Sequence, residues 1–595
     1  MKLYIGKKSA TYKWILHVYA LIFPFVLFFA LEGLNPVTSG FLGLGAIFAS
    51  ACIIAAGALL LYFAHGSVFW AYVPVSAVVL FAYVINYFKF MVTGRVFVFG
   101  DLLVAGEALS VMGGSAISIN LAFVLRVLLI IILHVPLFFI KFKIVFKKRC
   151  ILIGLAVIMF LGVFLIPMGA ENFWGARTVL YRETGLIMGF RTCAVQNRYM
   201  RRKMPELMEY SREFFDDMPE MTASQGAVTP NVIVIMSESF ADPTTFGNLD
   251  FSVNPVSNFQ RLAQNATSGN VIVPVFGGGT VNTELEFLTG TPMYLLSRGY
   301  TFPHANPRRY FGQNIYTALP WVFRENGYRA VAVHANYAGF YNRGRVFSSL
   351  GFDTFISKED MPNAPFKGWF VSDEYFTDRM IEQIELAEQA REPLFLFGIS
   401  AQNHWEFSAD KYAGHAQDVT ATSPLLTHDQ TARVNTYLQG VFDADAGLGR
   451  LIEFIESRET PTIVVFFGDH MPIIDSNEDV LVSLGAISAQ NSWDWTLADR
   501  EMVFTTPYLV WDNMGSNADD WGSLSAYFLS AQIARYSGIA LNTHWQQVLH
   551  LNQHFNGLTE NHYLDIYGNF HGIDGVWERS HVRAFAGLVH AKWFD

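Results

Sequence analysis

Cysteine is scarce: three in 595 residues, Cys52, Cys150 and Cys193. Only Cys193 follows the apolar N-terminal region, so no intramolecular disulfide can form within the C-terminal part. Charge is scarce too, at 15% Asp, Glu, Lys and Arg, against roughly 25% in soluble domains. That average conceals a division. Residues 1–170 are dominated by long apolar runs, and the remainder has an ordinary globular composition. There is no basic stripe with interleaved aromatics, and the net charge is −10. Both argue against a nucleic-acid partner.

What is present at the N-terminus is apolar sequence, in five runs over 14–31, 41–63, 68–88, 121–140 and 151–169. Each approaches the roughly 20 residues a helix needs to cross about 30 Å of hydrocarbon. A signal peptide could account for one run but not for five. Lys2, Lys7, Lys8 and Lys13 precede the first run, and Lys141, Lys143, Lys147, Lys148 and Arg149 separate the fourth from the fifth. The positive-inside rule puts both groups in the cytoplasm, with Lys89 and Arg95 dissenting. Five spans then leave everything after about residue 169 outside the cytoplasm; an even number would reverse this. Residues 94–114, of mixed polarity, are expected along the outer surface.

Residues 171–230 read as a linker. Within it 181–204 is helical in character, with Leu186, Phe190 and Val195 on one face, a cluster of Arg198, Arg201, Arg202 and Lys203, and Pro205 as a stop. Such a helix could lie on anionic headgroups or pack on the domain that follows. The expected organisation is a five-helix transmembrane domain over 1–170, an amphipathic helical linker over 171–230 and a globular domain outside the cytoplasm over 231–595.

In that last part, a strand of unbroken apolar character over 231–236 and further strands over 328–333, 394–399 and 462–467 alternate with helical stretches over 317–326, 373–389 and 432–458. This pattern predicts an α/β domain with a mainly parallel central sheet. Polar residues recur just past the strand ends: Glu238, His334, the pair Asn403-His404, and the pair Asp469-His470. In open parallel sheets that edge is where ligands bind. A further stretch, residues 276–290, runs from Gly277, Gly278 and Gly279 through Thr280 into a helix expected from Asn282. A hydroxyl there sits among unpaired N–H groups in a positive partial field, which suits a phosphate. Thr280 could be a nucleophile or simply a helix cap. Glu238, Asp469 and His470 offer two carboxylates and an imidazole. That set suits Mn²⁺ or Zn²⁺, with Mg²⁺ also possible, and the Thr280 hydroxyl would complete it.

These residues carry a resemblance. From about 231 to 579 the chain resembles the extracellular domain of lipoteichoic acid synthases and related phosphoglycerol transferases, in the sulfatase-like branch of the alkaline phosphatase superfamily. The matching motifs are Ser237-Glu238-Ser239, Gly278-Gly279-Thr280 through Glu286-Phe287, Phe340-Tyr341-Asn342-Arg343, Asn403-His404 and Phe467-Gly468-Asp469-His470. The resemblance implies that Glu238, Thr280, Asp469 and His470 hold Mn²⁺ and that Thr280 becomes covalently phosphoglycerylated. It implies that His334, Arg343 and His404 grip glycerol-phosphate. Asn336 and Tyr341, in the same head-group pocket, stand where those synthases often have Asp and Trp. The implied donor is phosphatidylglycerol. The implied acceptor is a polyglycerol-phosphate chain, a glycolipid or a glucan. The implied place is a bacterial cell (inner) membrane, multi-pass, with the catalytic domain extracellular or periplasmic. A phosphoethanolamine transferase is the competing enzyme, although such enzymes are expected to carry disulfides that this outer part cannot form. A membrane sensor or scaffold with an inactive transferase domain is the non-enzyme alternative. A sulfatase would need Cys/Ser-x-Pro-x-Arg, and Thr280-Val281-Asn282-Thr283-Glu284 does not match it.

Overall fold

A computed structural model describes residues 10–37, 42–93, 96–98, 121–140, 146–163, 165, 177–219, 229–296, 312–475, 479–490, 492, 494–515, 519–560, 562–573 and 575–593. These fall into two compact units, one reaching to Arg201 and one beginning at Arg202. Most of the expected surface stretch over 94–114 lies outside the described residues.

The first unit is helical: α1 (Ala10–Glu32), α2 (Leu44–His65), α3 (Val68–Thr93), α4 (Leu121–Leu133) and α5 (Phe146–Val163). Four stretches, Trp14–Glu32, Leu44–Ala64, Val68–Phe90 and Leu121–Phe138, are long and apolar enough to cross a bilayer. The fifth run also forms a helix, but its apolar part, Ile151–Val163, is shorter than the others. Residues 166–169 of that run lie outside the described residues. Polar side chains turn inward. The carboxylate of Glu32 accepts from Asn35 Nδ2 (2.9 Å), from the Tyr83 hydroxyl and from the backbone N–H of Leu186 (3.0 Å).

Leu186 belongs to α6 (Arg177–Asp216), which breaks at Gly185, where φ is 71°. A side chain at 185 would stand 2.4 Å from Glu32 Oε1, so only glycine lets the backbone reach that carboxylate. Pro205, expected to end this helix, lies inside it. A proline removes one helical hydrogen bond, and burial beyond it outweighs that loss. In the second unit Leu207 and Ser211 lie against Gly587, where a Cβ would meet the Leu207 carbonyl at 2.0 Å, and the Phe214 ring lies 5.5 Å from that of His554.

The second unit is built on eight strands: β1 (Asn231–Ser237), β2 (Thr267–Ile272), β3 (Arg329–His334), β4 (Thr354–Ile356), β5 (Leu394–Ile399), β6 (Thr462–Gly468), β7 (Thr505–Asp512) and β8 (Leu524–Ser525). Their order is β8-β2-β7-β6-β1-β5-β3-β4. β1 pairs in parallel with both β5 and β6, and β3 pairs in parallel with β4 and β5. Only β7 runs against its neighbours β6 and β2. The expected mainly parallel sheet is therefore present. The four anticipated strands form its centre and are almost wholly buried, as their continuous apolar character requires.

Register fixes the level of the strand ends. Ser237 pairs with Gly468, while Met236 and His334 both pair with Ile399. The polar residues after β1, β3, β5 and β6 thus emerge along one edge. Over that edge lies α7 (Thr280–Thr289), a helix whose ten residues are all buried. The Phe287 ring anchors it, stacked 5.7 Å from Phe397 of β5 and 5.1 Å from Phe467 of β6.

Candidate metal centre and active site

Two contacts bring α7 to the sheet edge. The glycine loop has φ of 67°, 147° and 87° at Gly277, Gly278 and Gly279. Gly277 donates its N–H to the Met471 carbonyl (3.0 Å), and a Cβ there would lie 2.0 Å from Ile473 Cδ1. The loop is thereby pressed against the segment that follows His470. Thr283, one turn into α7, donates its hydroxyl to the Asp469 carbonyl (2.7 Å). The helix begins at Thr280, two residues earlier than expected, with Gly279 as its cap. Thr280 does not cap the helix with its side chain. Its hydroxyl points to Glu238 Oε2 at 3.4 Å.

Glu238, Asp469 and His470 are buried, with ligand atoms within 4.8 Å of one another, and form the one such cluster among the described residues. Asp469 Oδ1 accepts two backbone N–H groups, from Ser239 (2.8 Å) and His470 (2.9 Å). That leaves Oδ2 buried without a partner. The ring of His470 bonds through Nδ1 to the Met471 carbonyl (3.0 Å). Nε2 is left facing Asp469 Oδ2 at 3.2 Å and Glu238 Oε1 at 3.6 Å, buried and without a hydrogen-bond partner. Two carboxylates crowded in a buried space repel one another unless a positive charge lies between them. Burial, and then the charge of Asp469, push the Glu238 pKa up to about 7. The donor set fits a divalent metal, and the orphaned oxygen and nitrogen are the physical sign of one.

A second buried chain of contacts starts from the same helix. Arg343, 1% exposed, bonds Glu284 Oε2 through Nε (2.8 Å) and approaches His334 Nε2 through Nη1 (2.9 Å). His334 Nδ1 meets the Ile399 carbonyl (3.2 Å), so Nδ1 holds the proton and Nε2 accepts from arginine. Burial, and then Arg343, hold the His334 pKa well below its ordinary value, so the ring is neutral. Tyr341 sits at φ 56° with its ring 5.3 Å from the guanidinium. Asn336 turns aside: its side-chain oxygen accepts the N–H of Tyr337 (2.8 Å) and closes a local turn.

His404 bonds through Nδ1 to the Trp405 carbonyl (2.7 Å), and its ring lies 5.2 Å from that of Phe370. Burial lowers its pKa. Buried Lys411 donates to the His404 carbonyl (2.6 Å). Burial brings the Lys411 pKa down to about 7, against the attraction of Glu238 and Asp373. Burial, and then Asp443, push the Asp373 pKa up to about 8.

Sequence reasoning missed Glu284, Lys411 and Asp373. Glu284 had a signal, because it follows Thr280 by four residues and so shares its helix face. Among the C-terminal histidines the His554 ring lies 5.3 Å from that of His550 and 5.8 Å from that of His581, but none of them joins a metal-holding cluster among the described residues. His544 bonds the Thr289 carbonyl (2.9 Å), His571 pairs with Asp565 (2.8 Å) and the ring of His562 lies against that of Phe570 (5.0 Å).

A family model described as Sulfatase matches residues 230–539. A Rhizobium meliloti (strain 1021) protein named "Putative cyclic beta-1,2-glucan modification protein" is 34% identical over 323 residues, 54% of this chain and 47% of that one. Lipoteichoic acid synthase 1 of Bacillus subtilis (strain 168) is 26% identical over 173 residues, 28% of this chain and 25% of its own length. The chain thus spans half or less of the length of these relatives. The solved structure of Streptococcus pyogenes phosphoglycerol transferase GacH in complex with sn-glycerol-1-phosphate superposes with a TM-score of 0.50 at 18% identity. That match covers 67% of this chain and 93% of that one, and it speaks for the fold.

Proposed function

The chain belongs to the sulfatase family, and on that premise we propose that it is a membrane-anchored phosphoglycerol transferase with Thr280 as its nucleophile. The observation that carries this reading is the meeting of two buried, unpartnered ligand atoms, Asp469 Oδ2 and His470 Nε2, beside Glu238, whose carboxylate the Thr280 hydroxyl faces at 3.4 Å. A sulfatase activity is disfavoured, because Thr280-Val281-Asn282-Thr283-Glu284 lacks the Cys/Ser-x-Pro-x-Arg pattern. Glu238, Asp469 and His470, with Thr280, would hold a divalent ion, for which Mn²⁺ is our candidate. Such an ion lowers the pKa of a hydroxyl beside it and offsets charge on a phosphoryl group.

The deprotonated Thr280 oxygen attacks the phosphorus of phosphatidylglycerol. The bond from phosphorus to the diacylglycerol oxygen breaks, and that oxygen takes a proton from solvent. Glycerol-phosphate is left on Thr280. An acceptor hydroxyl then attacks the same phosphorus, gives up its proton and displaces the Thr280 oxygen. His404 suits the base of this second half: burial favours its neutral form, and its Nδ1 proton is committed to Trp405, which leaves Nε2 to accept. Arg343, held by Glu284 and His334, supplies a fixed guanidinium for the phosphoryl oxygens. We propose a glucan as the acceptor, because the more similar relative is named for cyclic β-1,2-glucan and the less similar one for lipoteichoic acid. A lipid donor gives the apolar helices a purpose, and the basic residues flanking them favour placing the second unit outside the cytoplasm.

The test is to incubate the full chain with Mn²⁺ and head-group-labelled phosphatidylglycerol. Label is expected on the peptide containing Thr280 by mass spectrometry. In Thr280→Ala, transfer should fall ~10³-fold or more while thermal melting is retained. Wild-type turnover by Thr280→Ala would remove the nucleophile from the proposal.

A further inference from the structure

The rim beyond His404 is aromatic. Residues Phe366–Lys367 and Phe370–Val371 pair as a short antiparallel hairpin whose two-residue turn is Gly368-Trp369. Gly368 has φ 69°, and a Cβ there would lie 2.9 Å from the Lys411 carbonyl and 3.0 Å from the Tyr412 ring. The hairpin tip is therefore pressed onto the segment whose Lys411 ammonium bonds the His404 carbonyl. On the other side of the hairpin the Phe370 ring lies 5.2 Å from the His404 imidazole. The hairpin and the proposed base are thus joined at two points.

The outer face of this rim is open. Tyr337 is 52% exposed, and Phe366 and Trp369 are each 41% exposed. They are three of the five exposed aromatics among the described residues of this unit, the others being Tyr316 and Tyr567. Lys358 lies 4.4 Å from the centroids of both the Tyr337 and Phe366 rings and donates to the Tyr337 hydroxyl (3.0 Å). Leaving three large aromatic side chains half in water beside a buried reaction centre costs hydrophobic stabilisation, unless a ligand covers them. The charge is balanced: over residues 358–367, Lys358 and Lys367 are matched by Glu359 and Asp360. Lys367 is further committed to Asp443 at 2.8 Å. A polyanionic chain would find no net attraction here. A neutral molecule with apolar C–H faces and hydroxyl edges would find both of its partners. The faces of pyranose rings carry C–H bonds that pack on the negative face of an aromatic ring, and Lys358 and the Tyr337 hydroxyl can bond sugar hydroxyls.

We propose that Trp369, Phe366, Tyr337 and Lys358 form the acceptor subsite, that its ligand is a neutral gluco-oligosaccharide, and that a pyranose stacked on Trp369 presents its neighbour's hydroxyl to His404. This rests on the transferase reading above and adds to it the site and the chemistry of the acceptor.

The experiment uses the full chain in detergent with Mn²⁺ and labelled phosphatidylglycerol. The acceptors are a β-1,2-linked gluco-oligosaccharide and, for comparison, a glycerol-phosphate oligomer. Two quantities are read: diacylglycerol release, and label on the acceptor. Oligosaccharide binding is followed separately by tryptophan fluorescence with no donor present. In Trp369→Ala, label on the oligosaccharide per diacylglycerol released is expected to fall about ten-fold, through a higher acceptor KM. Trp369→Phe should recover most of it. An unchanged KM in Trp369→Ala overturns the subsite. Transfer by wild type to the glycerol-phosphate oligomer alone overturns the acceptor class. If wild type releases no diacylglycerol, the transferase reading fails by itself. The subsite is then judged by fluorescence: saturable oligosaccharide binding that is lost in Trp369→Ala upholds it, and no binding to wild type overturns it.

Discussion

Glu284 and Arg343 meet at 2.8 Å with side chains 0% and 1% exposed. Removing one partner of a buried pair strands the other charge, at a cost of about 3–5 kcal/mol. Glu284→Ala is therefore expected to lower the melting temperature clearly and to reduce transfer, because Arg343 loses its orientation. Calorimetry and the labelled-lipid assay would check this, and a variant as stable and active as wild type would contradict it. His562 offers a cleaner reading of pH. Burial, with a smaller contribution from Arg500, lowers its pKa from 6.5 to about 3. The unfolded chain takes up the proton near pH 6.5 and the folded chain does not. The stability from keeping this ring neutral is thus complete above pH 6.5 and is lost as pH falls toward 3. Melting curves should accordingly lose less temperature between pH 6.5 and 4 in His562→Gln than in wild type. At this scale the sequence was readable where residue type and strand end coincided, as at Glu238, Asp469 and His470. It was silent at Lys411, whose bond to the His404 carbonyl depends on how an irregular segment folds back. No spacing encodes that.

At the scale of elements, β6 delivers Asp469 and His470, and its last residue, Gly468, is tightly enclosed. A Cβ there would stand 1.9 Å from the Phe240 carbonyl oxygen, a backbone atom that cannot swing aside. Gly468→Ala should destabilise the fold by about 1–3 kcal/mol or more and weaken metal retention, since Asp469 moves with it. Denaturant midpoints and metal content after dialysis measure the two effects. Strands β1, β3, β5 and β6 were legible because strands buried on both sides are continuous apolar runs. β7 was not anticipated, and its reversed direction could not have been. A run of residues carries no mark of which way it will point in a sheet. Pro205 misled for a related reason. Local propensity argues for a stop, while packing against Gly587, more than 380 residues later in the chain, holds the helix together.

For the whole molecule the side on which the second unit lies is a matter of parity. Four long apolar helices and the shorter α5 leave α5 as the deciding element. With Lys147, Lys148 and Arg149 at its start, α5 is expected to cross from the cytoplasm. A reporter active only outside the cytoplasm, fused after Asp595, should be active, and deletion of residues 146–163 should silence it. A silent fusion on the intact chain would reverse the assignment. The division into an apolar part and a globular part was plain from composition, whereas the length of each helix depended on where local structure begins and ends.

The enclosure of α7 has a last consequence, for genetics. Thr280 is held in place by a helix with no face to solvent, resting on the rings of Phe287, Phe397 and Phe467. A screen for loss-of-function alleles will therefore return substitutions at those three rings alongside the chemical residues. Such alleles would be temperature-sensitive, whereas alleles at Thr280 would be null at every temperature.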